Sequence, residues 1–180
     1  MGGSSDEELY IRWREGSVDA GNELAEKYCQ PVLAFFASKL PDAAEDLMQK
    51  TFLACMASTL EPSEVRLFRG FLFGVARKQL LRHFEGRGNL RGETPVSHVS
   101  LAELRTTPTQ RIAKEQERTQ IQTALAVLPL DQQIALELYY WQKMSVGEVA
   151  EAIELSEGGT RAKLHRARTR LKEVLARMDR

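Results

Sequence analysis

Apolar residues recur along this chain every three or four positions, the spacing that turns one side of an α-helix toward a core. The repeat predicts helices over residues 6–14, 20–40, 42–59, 67–84, 108–127 and 131–142, then two more helices joined by a short turn. No strand-like alternation is sustained, so the expected fold class is all-α. Pro31, Pro41, Pro62 and Pro129 fall at or near the proposed starts and breaks, with Pro31 placed to kink the second helix. Between residues 86 and 109 the periodicity lapses into glycine, proline and hydroxyl residues, which reads as a flexible linker. Two small helical domains are therefore expected, over residues 1–91 and 109–180, with 92–108 linking them. Halves of about 90 and 70 residues bury only about 60% of their unfolded surface, so each is modestly stable alone.

Within the helix expected from residue 42, Ala44, Leu47, Met48, Phe52, Cys55 and Met56 share the buried side. Asp42, Asp46, Gln49, Lys50 and Leu53 are left facing outward. An exposed leucine among polar groups is a modest interface signal.

The final two helices carry the most chemistry. Ser145 and Glu148 have the spacing of a capping box, and Val146, Val149, Ala150 and Ile153 follow at helical intervals. Gly158 and Gly159 then supply the expected sharp turn. In the last helix Leu164, Ala167, Leu171, Val174, Leu175 and Met178 share one face. At about 100° per residue the opposite face is centred on Ala162, His165, Arg166, Thr169 and Glu173. Arg161, Arg168 and Lys172 flank it on one side, and Lys163, Arg170 and Arg177 on the other. Small and polar groups between two rows of cations suit a DNA groove, base edges at the centre and phosphates at the flanks. This is the pattern of a helix-turn-helix whose second helix reads DNA.

The chain has 180 residues, and its 25 basic and 25 acidic side chains cancel. The cancellation hides an alternation along the sequence. Residues 1–60 carry 5 basic against 10 acidic, 61–91 carry 7 against 3, 92–155 carry 5 against 9, and 156–180 carry 8 against 3. Two basic stretches imply two nucleic-acid contacts, with the acidic stretches left for a protein partner. In the first basic stretch aromatics interleave with cations, as in single-strand binding, yet Phe71, Leu72, Val75 and Leu80 are expected inside. That leaves Arg69, Arg77, Lys78 and Arg82 as the DNA candidates.

Cys29 and Cys55 lack metal-ligand spacing, and His83, His98 and His165 are too scattered for a triad or a metal site. No catalytic residue, metal or cofactor is expected. No apolar run approaches the roughly 20 residues of a membrane span, and the polar, acidic N-terminus fits a cytoplasmic protein without membrane insertion. Two functions fit these features taken alone: an operator-binding helix-turn-helix regulator with a sensing first domain, or an adaptor whose basic helices bind acidic proteins.

The order Asp42-Ala-Ala-Glu-Asp-Leu-Met-Gln-Lys-Thr-Phe-Leu, then Phe71-Leu-Phe-Gly-Val-Ala-Arg-Lys, Leu128-Pro and Ser156-Glu-Gly-Gly-Thr-Arg-Ala-Lys-Leu-His-Arg-Ala-Arg resembles bacterial sigma factors of the extracytoplasmic-function group. The resemblance spans nearly the whole chain. It implies that the first domain docks on the β′ clamp helices of core RNA polymerase and handles the melted minus-ten element. The second domain then meets the β flap and reads the minus-thirty-five element as duplex. By position, Asp46, Gln49 and Leu53 resemble polymerase-contacting residues, and Arg77, Lys78 and Arg82 the upstream promoter surface. Arg161, Ala162, His165 and Arg166 resemble the recognition-helix readers, and residues 60–69 the loop that captures a flipped base. Phe71 stands where the family usually has tryptophan, and Lys78 where it has asparagine. An anti-sigma partner is a further implication.

Overall fold

The computed structural model describes residues 4–86, 95–104 and 120–178. Among them the structure is helical throughout, with one isolated β-bridge between Ser100 and Pro129. The elements are α1 (Asp6–Arg14), α2 (Val18–Ala37), α3 (Ala44–Met56), α4 (Phe68–Gly86), α5 (Leu101–Leu104), α6 (Gln120–Ala126), α7 (Leu130–Tyr140), α8 (Val146–Ile153) and α9 (Glu157–Met178). The helix expected over 108–127 is present from Gln120, its earlier part lying outside the described residues. The chain forms two compact units, Met1–Leu80 with Gly147–Glu154, and Leu81–Val146 with Leu155–Arg180.

The first unit begins with a strong helix start. Ser5 Oγ accepts from the Glu8 amide at 3.2 Å while Glu8 Oε2 accepts from the Ser5 amide at 3.0 Å, so two end donors are satisfied reciprocally. Gly16, at φ 101°, makes the turn into α2, and the Ser17 hydroxyl accepts from Ala20 to cap it. The α2 helix runs through Pro31. Asp6 joins α1 to α2 by accepting from the Tyr28 hydroxyl and pairing with Lys27 at 2.6 Å.

The core of this unit is aromatic. Tyr10, Phe36, Phe68 and Phe73 are fully buried, and the Phe68 ring lies 5.1 Å from Tyr10 and 5.7 Å from Tyr28. Offset and edge-on pairs at these separations add to simple burial. Phe71 and Val75, expected inside, are half-buried, whereas Leu72, Phe73, Ala76 and Leu80 are enclosed. A helix with apolar groups around most of its circumference is a central helix, which explains why α4 shows little amphipathic pattern. Gly70 is required by close approach: a Cβ there would stand 2.8 Å from the Glu148 carbonyl oxygen of α8.

The second unit is pinned at the start of α7. The Leu130 amide donates to Val99 O at 3.0 Å, beside the Ser100–Pro129 bridge. Ser100 caps the short α5, its hydroxyl donating to Glu103 Oε2 at 2.6 Å and its amide donating to the same oxygen at 2.9 Å. Those two bonds hold the Glu103 carboxyl below its ordinary pKa. Val96, Leu101 and Leu104 are buried here, so the stretch expected as linker has ordered, packed residues within it. Its apolar positions are too few and too widely spaced among polar residues to register as a periodic element.

Candidate nucleic-acid interface

The residues expected to meet a protein partner stand together on α3. Asp46 and Gln49 are exposed, and Leu53 is 68% exposed. The buried side differs in one respect from expectation. Thr51 is fully buried, its hydroxyl donating to Leu47 O at 2.7 Å, while Met48, Phe52 and Met56 are only half-buried. These three line a groove of about 570 Å³ with Trp13 and Ala25, and Gln49 and Leu53 stand on its border. Cys29 also lines it. Burial raises the thiol pKa at Cys29 and pushes that of Cys55 up to about 12, so both stay protonated at neutral pH.

One residue not singled out by sequence holds the chain that follows α3. Arg14 donates to the Tyr10 hydroxyl and to Ser58 O, each at 2.9 Å, and to Leu60 O at 3.3 Å. Tyr10 in turn donates to Cys55 O at 2.9 Å. An arginine last in a surface helix ordinarily completes the helix dipole, so nothing in the local pattern marks it as a clamp.

The α4 cations fall into two groups. Lys78 and Arg82 are exposed, whereas Arg69 and Arg77 are half-buried. Lys78 pairs with Glu154 at 2.6 Å, and the Arg77 guanidinium stands 3.7 Å from the same carboxylate. The Arg77 Nε is buried without a hydrogen bond. Two of the expected phosphate contacts thus already face a carboxylate.

The last helix starts earlier than the glycines suggest. The left-handed residue is Glu154, at φ 56°, and α9 begins at Glu157, which puts Gly158 and Gly159 in its first turn. Ser156 organises this start. Its hydroxyl accepts from the Gly159 amide at 3.0 Å, and its carbonyl accepts from the Thr160 amide and hydroxyl at 2.8 and 2.9 Å. A serine cap thus sets the helix boundary that a glycine turn was expected to set.

Along α9, Thr160, Leu164 and Ala167 are buried, and Arg161, Ala162, His165, Arg166, Arg168, Thr169 and Arg170 are exposed. The predicted outward face is therefore correct in phase. Its cations have different neighbours, however. Arg161 pairs with Glu157 at 2.8 Å within the helix, and Arg168 donates to the Tyr140 hydroxyl at 3.3 Å. Lys163 turns inward to Asp131 of α7. His165, Arg166, Thr169, Arg170 and Arg177 line a groove of about 530 Å³ together with Val127. Among the described residues no group of His, Cys, Asp and Glu is arranged to hold a metal ion, and no helix is long and apolar enough to cross a membrane.

The Sigma-70, region 4 family matches residues 118–171. The ECF RNA polymerase sigma factor SigM of Bacillus subtilis is 28% identical over 161 residues, covering 87% of this chain and 95% of that protein. The ECF RNA polymerase sigma factor SigF of Caulobacter vibrioides is 29% identical over 176 residues, covering 95% and 94%. Among solved structures, CnrH in complex with the cytosolic domain of CnrY has the same fold, with a TM-score of 0.67, 20% identity, and coverage of 96% of this chain and 98% of that one.

Residues 118–171 thus match a Sigma-70 region 4 domain, and the relatives that match most of the chain are RNA polymerase sigma factors. These matches support an extracytoplasmic-function sigma factor that directs transcription initiation.

Proposed function

We propose that the exposed face of α3 docks this sigma factor on the β′ clamp helices, that α4 meets the promoter near the minus-ten element, and that α9 reads the minus-thirty-five element while its domain engages the β flap. The observation that carries this division is the surface of α9, where Ala162, His165 and Arg166 are presented together between exposed arginines. A small residue admits close approach, and histidine and arginine offer donors to base edges. On this reading Arg161, Arg168 and Arg170 hold phosphates, Arg69, Arg77, Lys78 and Arg82 serve the upstream surface of the first domain, and the chain acts in the cytoplasm with no catalysis of its own. An anti-sigma protein that covers the docking face completes the set of partners.

The direct test is transcription by purified core polymerase on a promoter library, with and without this chain. Sequence-selective transcripts and a melted promoter segment are expected only in its presence. An operator-binding regulator would bind duplex DNA without melting it.

Replacing Asp46 and Gln49 together by Ala should weaken binding to core polymerase about tenfold without changing helical content, because both side chains are exposed. Wild-type affinity in a competition assay would show that the docking face lies elsewhere. Glu154→Gln should act in the opposite direction on DNA. It removes the carboxylate facing Lys78 and Arg77, and an exposed pair of this kind is worth about 0.2–1 kcal/mol. Promoter complexes should therefore tighten up to about fivefold at low salt, with the gain fading as salt screens it. Unchanged promoter affinity across a salt series would mean that these cations do not meet DNA.

A further inference from the structure

The cation row on one flank of α9 has a member that does not behave as a phosphate ligand. Lys163 is only 18% exposed and its ammonium contacts Asp131 Oδ2, itself 11% exposed, whereas the neighbouring Arg161 and Arg166 are open to solvent. A half-buried pair of opposite charges is directional: each group has given up water and is compensated only while the other stays in place. Asp131 occupies the first turn of α7, where the helix dipole favours a carboxylate. That turn is itself fixed by Leu130 donating to Val99 O. The pair therefore ties α9 to the start of α7. Near this point α9 also buries Thr160, Leu164 and Ala167.

We propose that the Asp131–Lys163 pair is a positioning device for base reading: it sets the rotation and advance of α9 and thereby decides which base edges Ala162, His165 and Arg166 reach. Lys163 is a positioning residue and contacts no phosphate. The inference rests on the reading of α9 as the recognition helix. One turn separates Lys163 from Arg166, so releasing the tie shifts the readers while leaving the phosphate-binding arginines in reach of the backbone. Loss of the pair alters which sequence is preferred more than how strongly DNA is bound.

The test uses holoenzyme reconstituted from core polymerase and the full chain, selected on a promoter library and titrated with salt. Asp131→Asn, which is isosteric, and Lys163→Met should each lower affinity for the preferred promoter about tenfold and shift base preference at the same positions of the upstream element. The double variant should be no worse than either single one, Lys163→Arg should restore the profile, and the slope of log affinity against log salt should not change. If Lys163 instead bound phosphate, Lys163→Met would reduce that slope by about one with preference intact, and Asp131→Asn would tighten binding by removing a negative charge. Either result overturns the proposal, as does a fall in melting temperature with no change in base preference. Asp131→Asn alone decides the matter if Lys163→Met does not fold. A wild-type holoenzyme without any sequence preference upstream would instead refute the assignment of α9 as the reader, and this inference with it.

Discussion

Phe68→Ala should cost the first unit about 3–5 kcal/mol, the range for removing a fully buried phenylalanine and leaving part of its volume empty. Phe68 is completely enclosed, and its ring is shared by Tyr10, Tyr28 and Phe71 from three directions of the chain. Collapse into the space is opposed by the polar fixtures of its neighbours: Tyr10 is held to Cys55 O and Tyr28 to Asp6. The Phe68 amide is also fixed, donating to Glu7 Oε1 at 2.8 Å. A unit of about 90 residues has roughly 5–15 kcal/mol in total, so the variant should be partly unfolded at 37 °C. Urea unfolding followed by Trp13 fluorescence, in a Trp141→Phe background so that one indole reports the first unit, measures this directly. A loss below about 1 kcal/mol would mean that the aromatic core is not assembled around this ring.

What was legible in the sequence was periodic. The α3 face with Asp46, Gln49 and Leu53 outward, and the α9 face with Ala162, His165 and Arg166 outward, follow from spacing alone, because a helix that must bury one stripe leaves the opposite one to solvent. The partners of individual charges were not legible. Lys163 and Asp131 lie 32 residues apart, and nothing in a helical repeat tells a lysine that pairs from one that stays in water. Lys39 makes the same point. It lies between Ser38 and Leu40 at the end of α2, where a lysine would be expected in water, yet it is fully buried, with its ammonium 4.0 Å from the Phe35 ring centroid and donating to Phe35 O. The helix boundaries failed where two local signals competed. Gly158-Gly159 reads as a turn, but Ser156 satisfies the amides that follow it and lets the helix begin before the glycines.

The alternating charge of the chain has a structural meaning that the counts alone do not give. The basic stretch of α4 faces Glu154, and the basic stretch of α9 faces Glu157 and Asp131. Part of each positive segment is therefore neutralised within the protein, which lowers its nonspecific attraction to DNA.

Arg166→Ala should separate base reading from phosphate anchoring on that helix. Arg166 is exposed, one turn from Ala162 and beside His165 at the centre of the outward face, whereas Arg170 is a further turn along, toward the flank. A guanidinium that enters the major groove can bind guanine through two parallel hydrogen bonds, a geometry worth about 1–3 kcal/mol of discrimination against other bases. Removing it should therefore lower affinity for the preferred promoter by that amount and relax selection at one or two adjacent positions. Arg170→Ala should weaken every promoter alike and reduce the salt slope by about one, as expected for a lost phosphate contact. Selection of a randomised upstream element by each variant holoenzyme at fixed salt, followed by a salt titration on the winning sequence, reads both quantities. If Arg166→Ala lowers binding equally on all sequences and takes a unit off the slope, Arg166 is a backbone anchor. The helix would then sit rotated in the groove from the orientation that places His165 and Arg166 against the bases.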